Sequence, residues 1–139
     1  MKILVPVDGS AFSLKAVEAA CDLAQSKPPS SLILVAAVMQ VPDLEEGAYI
    51  AEKMKAQAEI ALARAKEVAQ KCGITPEALL ATGPSPADEI VRAARDQKAD
   101  LIVIGSRGLA GKTSSFLGST ASKVVTYSPC SVLVVKTQD

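Results

Sequence analysis

The sequence contains no histidine. That removes the side chain best suited to proton transfer near neutral pH and the commonest ligand of catalytic metal sites. Its three cysteines, Cys21, Cys72 and Cys130, are odd in number and far apart. They read as small apolar core residues with reduced thiols, as in a cytoplasmic protein, rather than as a disulfide frame. No apolar run approaches the ~18 residues that a membrane span requires. The opening MKILVPVDGS enters a strand-like run directly, without a cationic segment or a small-residue cleavage site, which speaks against a secreted form. Net charge cancels, with 15 Lys and Arg against 15 Asp and Glu, so nothing overall points to nucleic acid or an anionic membrane. One absence is local. Between Leu101 and Gln138 there is no acid, while Arg107, Lys112, Lys123 and Lys136 fall inside, a distribution suited to a small anion.

What is present is enough for one domain: 139 residues, 49% of them hydrophobic. Lys2 to Val7 and Leu32 to Val38 are short continuous apolar runs, as in strands covered on both faces. Leu14, Val17, Cys21 and Ala24 recur at helical spacing between Phe12 and Gln25, before the stop at Lys27-Pro28-Pro29. From Glu45 to Cys72, Met54, Ala58, Ala61, Leu62, Ala65, Val68 and Ala69 form one stripe, and Cys72-Gly73 marks a helix end. The segment from Pro42 to Tyr49 carries no clear pattern. Glu77 to Ala81 is a less apolar strand. Ser85-Pro86-Ala87-Asp88 then opens a helix to about Gln97, with Ser85 as N-cap and proline at the first helical position. Leu101 to Ile104 is the most strand-like run, Ser119 to Tyr127 a short helix, and Ser131 to Lys136 a last strand. The alternation implies an α/β fold: a three-layer sandwich with an open five-stranded parallel sheet and helices on both faces.

The chemistry concentrates in GSRGLAGKTSSFLGST, residues 105–120. GKT suggests a P-loop, but the first glycine of Gly-x4-Gly-Lys-Thr would have to be at 106, which is Ser106. No later apolar strand ends in an aspartate for magnesium. The dinucleotide pattern Gly-x-Gly-x-x-Gly fails too, because the spacing is Gly105-x2-Gly108-x2-Gly111. What remains is Gly105-x2-Gly108-x9-Gly118-Ser119. Glycines at 105 and 108 allow backbone amides to approach a ligand, and Gly118-Ser119-Thr120 opens a helix whose free N–H groups favour an anion.

This pattern resembles the ATP-binding motif of the universal stress protein family. KILVPVDGS, ADLIVIGSRG and SPCSVLVVK resemble the same family in order and distance, so the similarity covers essentially the whole chain. The resemblance implies an adenine-nucleotide α-hydrolase-like sheet of strand order 3-2-1-4-5. It implies that Pro6, Val7 and Asp8 border adenine and ribose, with Asp8 also available to a divalent cation, Mg or Mn, held with the nucleotide. A residue at the end of the second strand would lie beside adenine; the family often has valine there, whereas this chain has Ala37, followed by Val38. Gly83 would lie near the same pocket. Gly105, Ser106, Arg107 and Gly108 would cradle ribose and phosphates, and Gly118, Ser119 and Thr120 the terminal phosphates. Lys112 falls in the variable stretch of the motif.

No carboxylate pair, serine nucleophile elbow or evident base for attack on a γ-phosphate accompanies the motif, so the expectation is a nucleotide-dependent stress-response switch with little or no hydrolysis. The alternative is a stress-linked interaction protein that binds no nucleotide. A ligase or hydrolase of the related fold would want a Ser-Gly-Gly-type loop where Asp8-Gly9-Ser10-Ala11 stands, and a receiver domain would want an acid cluster where only Asp8 occurs. If the family's strand order holds, Ser131 to Lys136 is an apolar edge strand, and a homodimer through antiparallel pairing of that strand is expected.

Overall fold

The computed structural model describes residues 1–41, 45–108 and 117–136, and only the backbone of residues 45 and 46. The strands are β1 (Lys2–Pro6), β2 (Ser31–Met39), β3 (Glu77–Gly83), β4 (Leu101–Gly105) and β5 (Ser131–Val135). They form one parallel sheet in the order β3-β2-β1-β4-β5. The register sets Leu4 beside Ile33 and Ile102, and Ile102 beside Val132.

Strand alternation sorts the apolar side chains into two cores. Ile3, Val5, Leu32, Leu34 and Val103 face helices α1 (Ala11–Ser26) and α2 (Glu45–Lys71). Leu4, Ile33, Val35, Ile102 and Ile104 face α3 (Pro86–Asp96) and α4 (Ser119–Tyr127). This is the three-layer sandwich that the alternating runs imply, and the continuous hydrophobicity of β1, β2 and β4 follows from burial on both faces.

Each helix start and stop has a local cause. Ser10 caps α1 in an extended conformation, its Oγ accepting from Ser13 N at 3.2 Å. Gly73 (φ 82°) ends α2 in a left-handed cap, with Ile74 N donating to Ala69 O and Gly73 N to Gln70 O. Ser85 occupies the N-cap position of α3 and Pro86 begins it, although the serine side chain makes no capping bond. The N-terminal part of α2, unpatterned in sequence, is helical from Glu45; residues 42–44 lie outside the described residues.

Among its described side chains, helix α2 buries only Ala61, Ala65 and Ala69, a stripe of small side chains that brings it close to the sheet. Ala61 lies level with the loop after β1, because a Cβ placed on Gly9 would sit 3.7 Å from its methyl group. Residues 47–60 bury no side chain. The expectation of three buried cysteines is corrected: Cys21 is buried, but Cys72 and Cys130 are half-buried at an element end and in a turn. No described helix is long and apolar enough to cross a membrane.

Candidate functional site

Helix α1, entered from β1, and helix α4, entered from β4, pack on opposite faces of the sheet and lead toward its opposite edges, so the chain diverges between β1 and β4. The loops after these two strands therefore enclose a crevice at the carboxyl ends, the position where open α/β sheets bind ligands. From one side come Val7 and Asp8, and from the other Ser106, Arg107 and Gly108. Val7 is buried and tied to β2 by its N–H to Val35 O at 2.8 Å. Asp8 is exposed, and its Oδ1 accepts from Ser10 N at 2.9 Å. Gly9 (φ 89°) makes the turn between them, a conformation that disfavours any residue with a Cβ. Asp8 N in turn donates to Ser13 Oγ at 3.3 Å, so the loop is built onto the first turn of α1.

The three motif glycines serve different purposes. A Cβ on Gly105 would stand 2.8 Å from the Phe12 carbonyl oxygen, so this glycine lets β4 pass close to α1. A Cβ on Gly108 would run into the Asp8 carboxylate, which brings residues 100 positions apart face to face. A Cβ on Gly118 would lie 3.4 Å from Arg107 Cα and Ser106 O. Gly118 N donates to Ser106 O at 2.7 Å, so the start of α4 is fastened directly to the segment after β4. The first amides of α4, at Ser119, Thr120 and Ala121, have no carbonyl one turn earlier in the helix to accept from them. Ser119 is exposed and Thr120 half-buried, beside this cradle.

Arg107 Nε is buried without a hydrogen-bond partner among the described residues. A buried guanidinium N–H without an acceptor costs free energy, on the order of 1–3 kcal/mol, and an anion in the cradle would remove that cost. Pro6, Ala37 and Gly83 lie on the α3 face of the sheet at or near the ends of β1, β2 and β3. Ala37 pairs with Ala81 and joins the α3-side core, while Val38 is buried. Gly83 is buried, and the space of its missing side chain is occupied by the Glu89 carboxylate. The sequence reading missed Glu89, which is 4% exposed, holds Arg92 at 3.5 Å through Oε1 and has an Oε2 with no hydrogen-bond partner among the described residues. Its only signal was position, an acid in the first turn of α3 beside the buried positions Ala87 and Ile90. Lys112, with the rest of residues 109–116, lies outside the described residues.

The universal stress protein family model matches residues 1–136. This chain belongs to the universal stress protein family. Among curated members, it is 36% identical to universal stress protein YxiE of Bacillus subtilis, covering 97% of this chain and 98% of that one. A universal stress protein of Thermus aquaticus is 38% identical, over 96% and 97% of the two chains. A crystal structure of a universal stress protein in complex with cAMP superposes with a TM-score of 0.78 at 30% identity, over 99% of this chain and 98% of that one. No group of three or more His, Cys, Asp or Glu that could hold a metal by itself occurs among the described residues of this family member.

Proposed function

We propose that this universal stress protein binds an adenine nucleotide, ATP foremost, in the crevice between β1 and β4, as a regulatory ligand. The observation that carries the reading is the cradle itself: Gly118 pressed onto the Ser106–Arg107 backbone beside the α4 N-terminus, with Arg107 Nε lacking an acceptor among the described residues. Phosphate oxygens supply the missing acceptors, and Ser106, Gly108, Ser119 and Thr120 add donors around them. Pro6, Val7, Ala37 and Gly83 are the wall offered to the base, and Asp8 accepts from ribose hydroxyls. The cAMP-bound relative, at 30% identity, supports an adenine nucleotide as the ligand class. Complexes of the same fold with AMP and dAMP, at 20% and 24% identity, support the fold's suitability alone.

Mg or Mn would come with the phosphates. Asp8 supplies one carboxylate, and such ions characteristically complete their shell with phosphate oxygens and water. With no histidine in the chain, no imidazole is available to activate water, so turnover is expected well below ~1 s⁻¹, the low end for kinases. The protein then acts as a nucleotide-responsive partner in the cytoplasm, dimeric through β5, whose Leu133 is 40% exposed.

The test is to denature freshly purified protein, identify the nucleotide released, and repeat with Gly118→Val. Wild type should carry or take up an adenine nucleotide, and the variant should fold and lose it. Wild type that emerges empty and binds no added ATP, ADP, AMP or cAMP would overturn the proposal in favour of an interaction protein without nucleotide.

A further inference from the structure

Cys21 and Cys72 meet where α1 passes the carboxyl end of α2, on the opposite face of the sheet from α3. Gln25, one turn beyond Cys21 on α1, donates through Nε2 to the Cys72 carbonyl, which fixes that end of α2 against α1. Cys72 packs against the core cluster that contains Cys21, and its thiol helps hold the proton on Cys21. The two thiols differ in access: Cys21 is fully buried in the core between α1, α2 and the sheet, whereas Cys72 is half-buried at its border. Cys72 stands just past the last helical residue and before Gly73, so its backbone belongs to a turn rather than to a packed helical segment. Cys130 lies apart, before β5, with its Sγ 3.6 Å from Ser128 Oγ.

We infer that Cys21 and Cys72 form a peroxide-oxidisable pair that closes to an intramolecular disulfide joining α1 to the end of α2. The Cys72 thiolate attacks one oxygen of hydrogen peroxide. The O–O bond breaks, leaving a sulfenic acid on Cys72 and releasing hydroxide, which takes up the thiol's proton as water. The Cys21 sulfur then attacks the Cys72 sulfur, the S–O bond breaks, and a second water leaves with the Cys21 proton. In sum two thiols lose two electrons and two protons, and one peroxide becomes two waters.

Order follows from access and acidity. Burial, reinforced by the Cys72 thiol, pushes Cys21 up to about 12, so peroxide meets Cys72 first and Cys21 resolves the sulfenic acid. A resolving thiol so seldom ionised makes the second step slow and faster with rising pH. The pair therefore registers sustained rather than brief exposure. The cross-link encloses residues 21–72, and confining a loop of that length in the unfolded chain raises the melting temperature by up to about 14 °C.

The experiment treats the reduced full-length chain with hydrogen peroxide, blocks remaining thiols with iodoacetamide and maps non-reduced peptides by mass spectrometry. The expected result is the loss of two hydrogens per chain, a Cys21–Cys72 cross-linked peptide, and restoration by dithiothreitol. Cys130→Ser should leave this unchanged, and Cys72→Ser should abolish it. Cys21→Ala should accumulate a sulfenic acid on Cys72 that dimedone traps. Oxygen gained at Cys72 in wild type without the cross-link, linkage through Cys130, or an unmodified chain under peroxide that oxidises free glutathione would each overturn the proposal. The wild-type map and Cys72→Ser decide it even where Cys21→Ala fails to fold.

Discussion

Replacing Gly105 by alanine should destabilise the fold, whereas the same change at Gly118 should not. The added Cβ at Gly105 meets Phe12 O at 2.8 Å, Phe12 C at 2.9 Å and Phe12 Cβ at 3.0 Å, against an optimum for carbon–carbon contacts of about 3.5–4.0 Å. The obstruction is backbone in the first turn of α1, so no rotamer change relieves it. The helix cannot simply withdraw, because Ser10 and Ser13 cap it and Ala16, Val17, Ala20 and Cys21 anchor it in the core. Overpacking of this kind costs about 1–3 kcal/mol. For a chain of 139 residues, an unfolding entropy of about 2.1 cal/mol/K per residue converts that to a fall in melting temperature of about 3–10 °C. At Gly118 the nearest contacts are 3.4 Å and φ is −62°, so alanine fits. Its poorer capping is offset by the reduced freedom of the unfolded chain, and the melting temperature should stay within about 2 °C of wild type. Scanning calorimetry on the two variants without added nucleotide separates them. A Gly105→Ala protein that melts within about 2 °C of wild type, or a Gly118→Ala protein that falls as far, would refute the division of the motif into a packing glycine and a cradle glycine.

Gly83→Ala should cost about 1–3 kcal/mol in wild type but little in a Glu89→Ala background, since the carboxylate is what the new methyl group meets. Denaturant titration of the four-member cycle should give a coupling energy above about 1 kcal/mol, and additivity would rule the contact out. Cys21 predicts an alkaline loss of stability. Its thiol is raised in the folded state from 9.0 to about 12, so above pH 9 the unfolded chain ionises while the folded chain holds its proton. Stability should therefore fall by up to about 1.4 kcal/mol per pH unit as the pH rises from 9 toward 12, and Cys21→Ala should flatten that slope in urea titrations. Leu133→Lys should convert a β5-paired dimer to monomer by light scattering, and an unchanged mass would move the interface elsewhere.

The strands were readable wherever both faces are covered. β1, β2 and β4 are continuous apolar runs because alternate side chains enter two different cores. β3 was fainter and extends two residues past the patterned run, to Gly83, because it is an edge strand with several exposed positions. Cys72-Gly73 marked the end of α2 correctly, since a left-handed cap depends on local conformation alone. The roles of the three motif glycines could not be read from spacing, because what each one touches comes from elsewhere in the chain: Phe12, Asp8, and the Ser106–Arg107 backbone. The burial of Glu89 was hidden for a related reason. An acid in a first helical turn is commonplace on solvent-facing positions, and only the absent side chain of Gly83 makes room for this one inside.

The length of α2 has a consequence for how the molecule breathes. From Ala61 onward the helix is held against the sheet by methyl groups, but residues 45–60 span about 24 Å of helix beyond the loop after β1, with no side chain buried from 47 onward. Among the described side chains, those turns are held by little beyond Ala58 at the edge of the core and Lys53 over the Tyr49 ring, so each further residue from the anchor adds only a weakly favourable step. Amide deuteration along this one helix should therefore form a gradient. Protection should be deepest at the Ala65 and Ala69 turns and decline turn by turn toward residue 47, so that one continuous element reports both the global opening of the domain and its most local fluctuation.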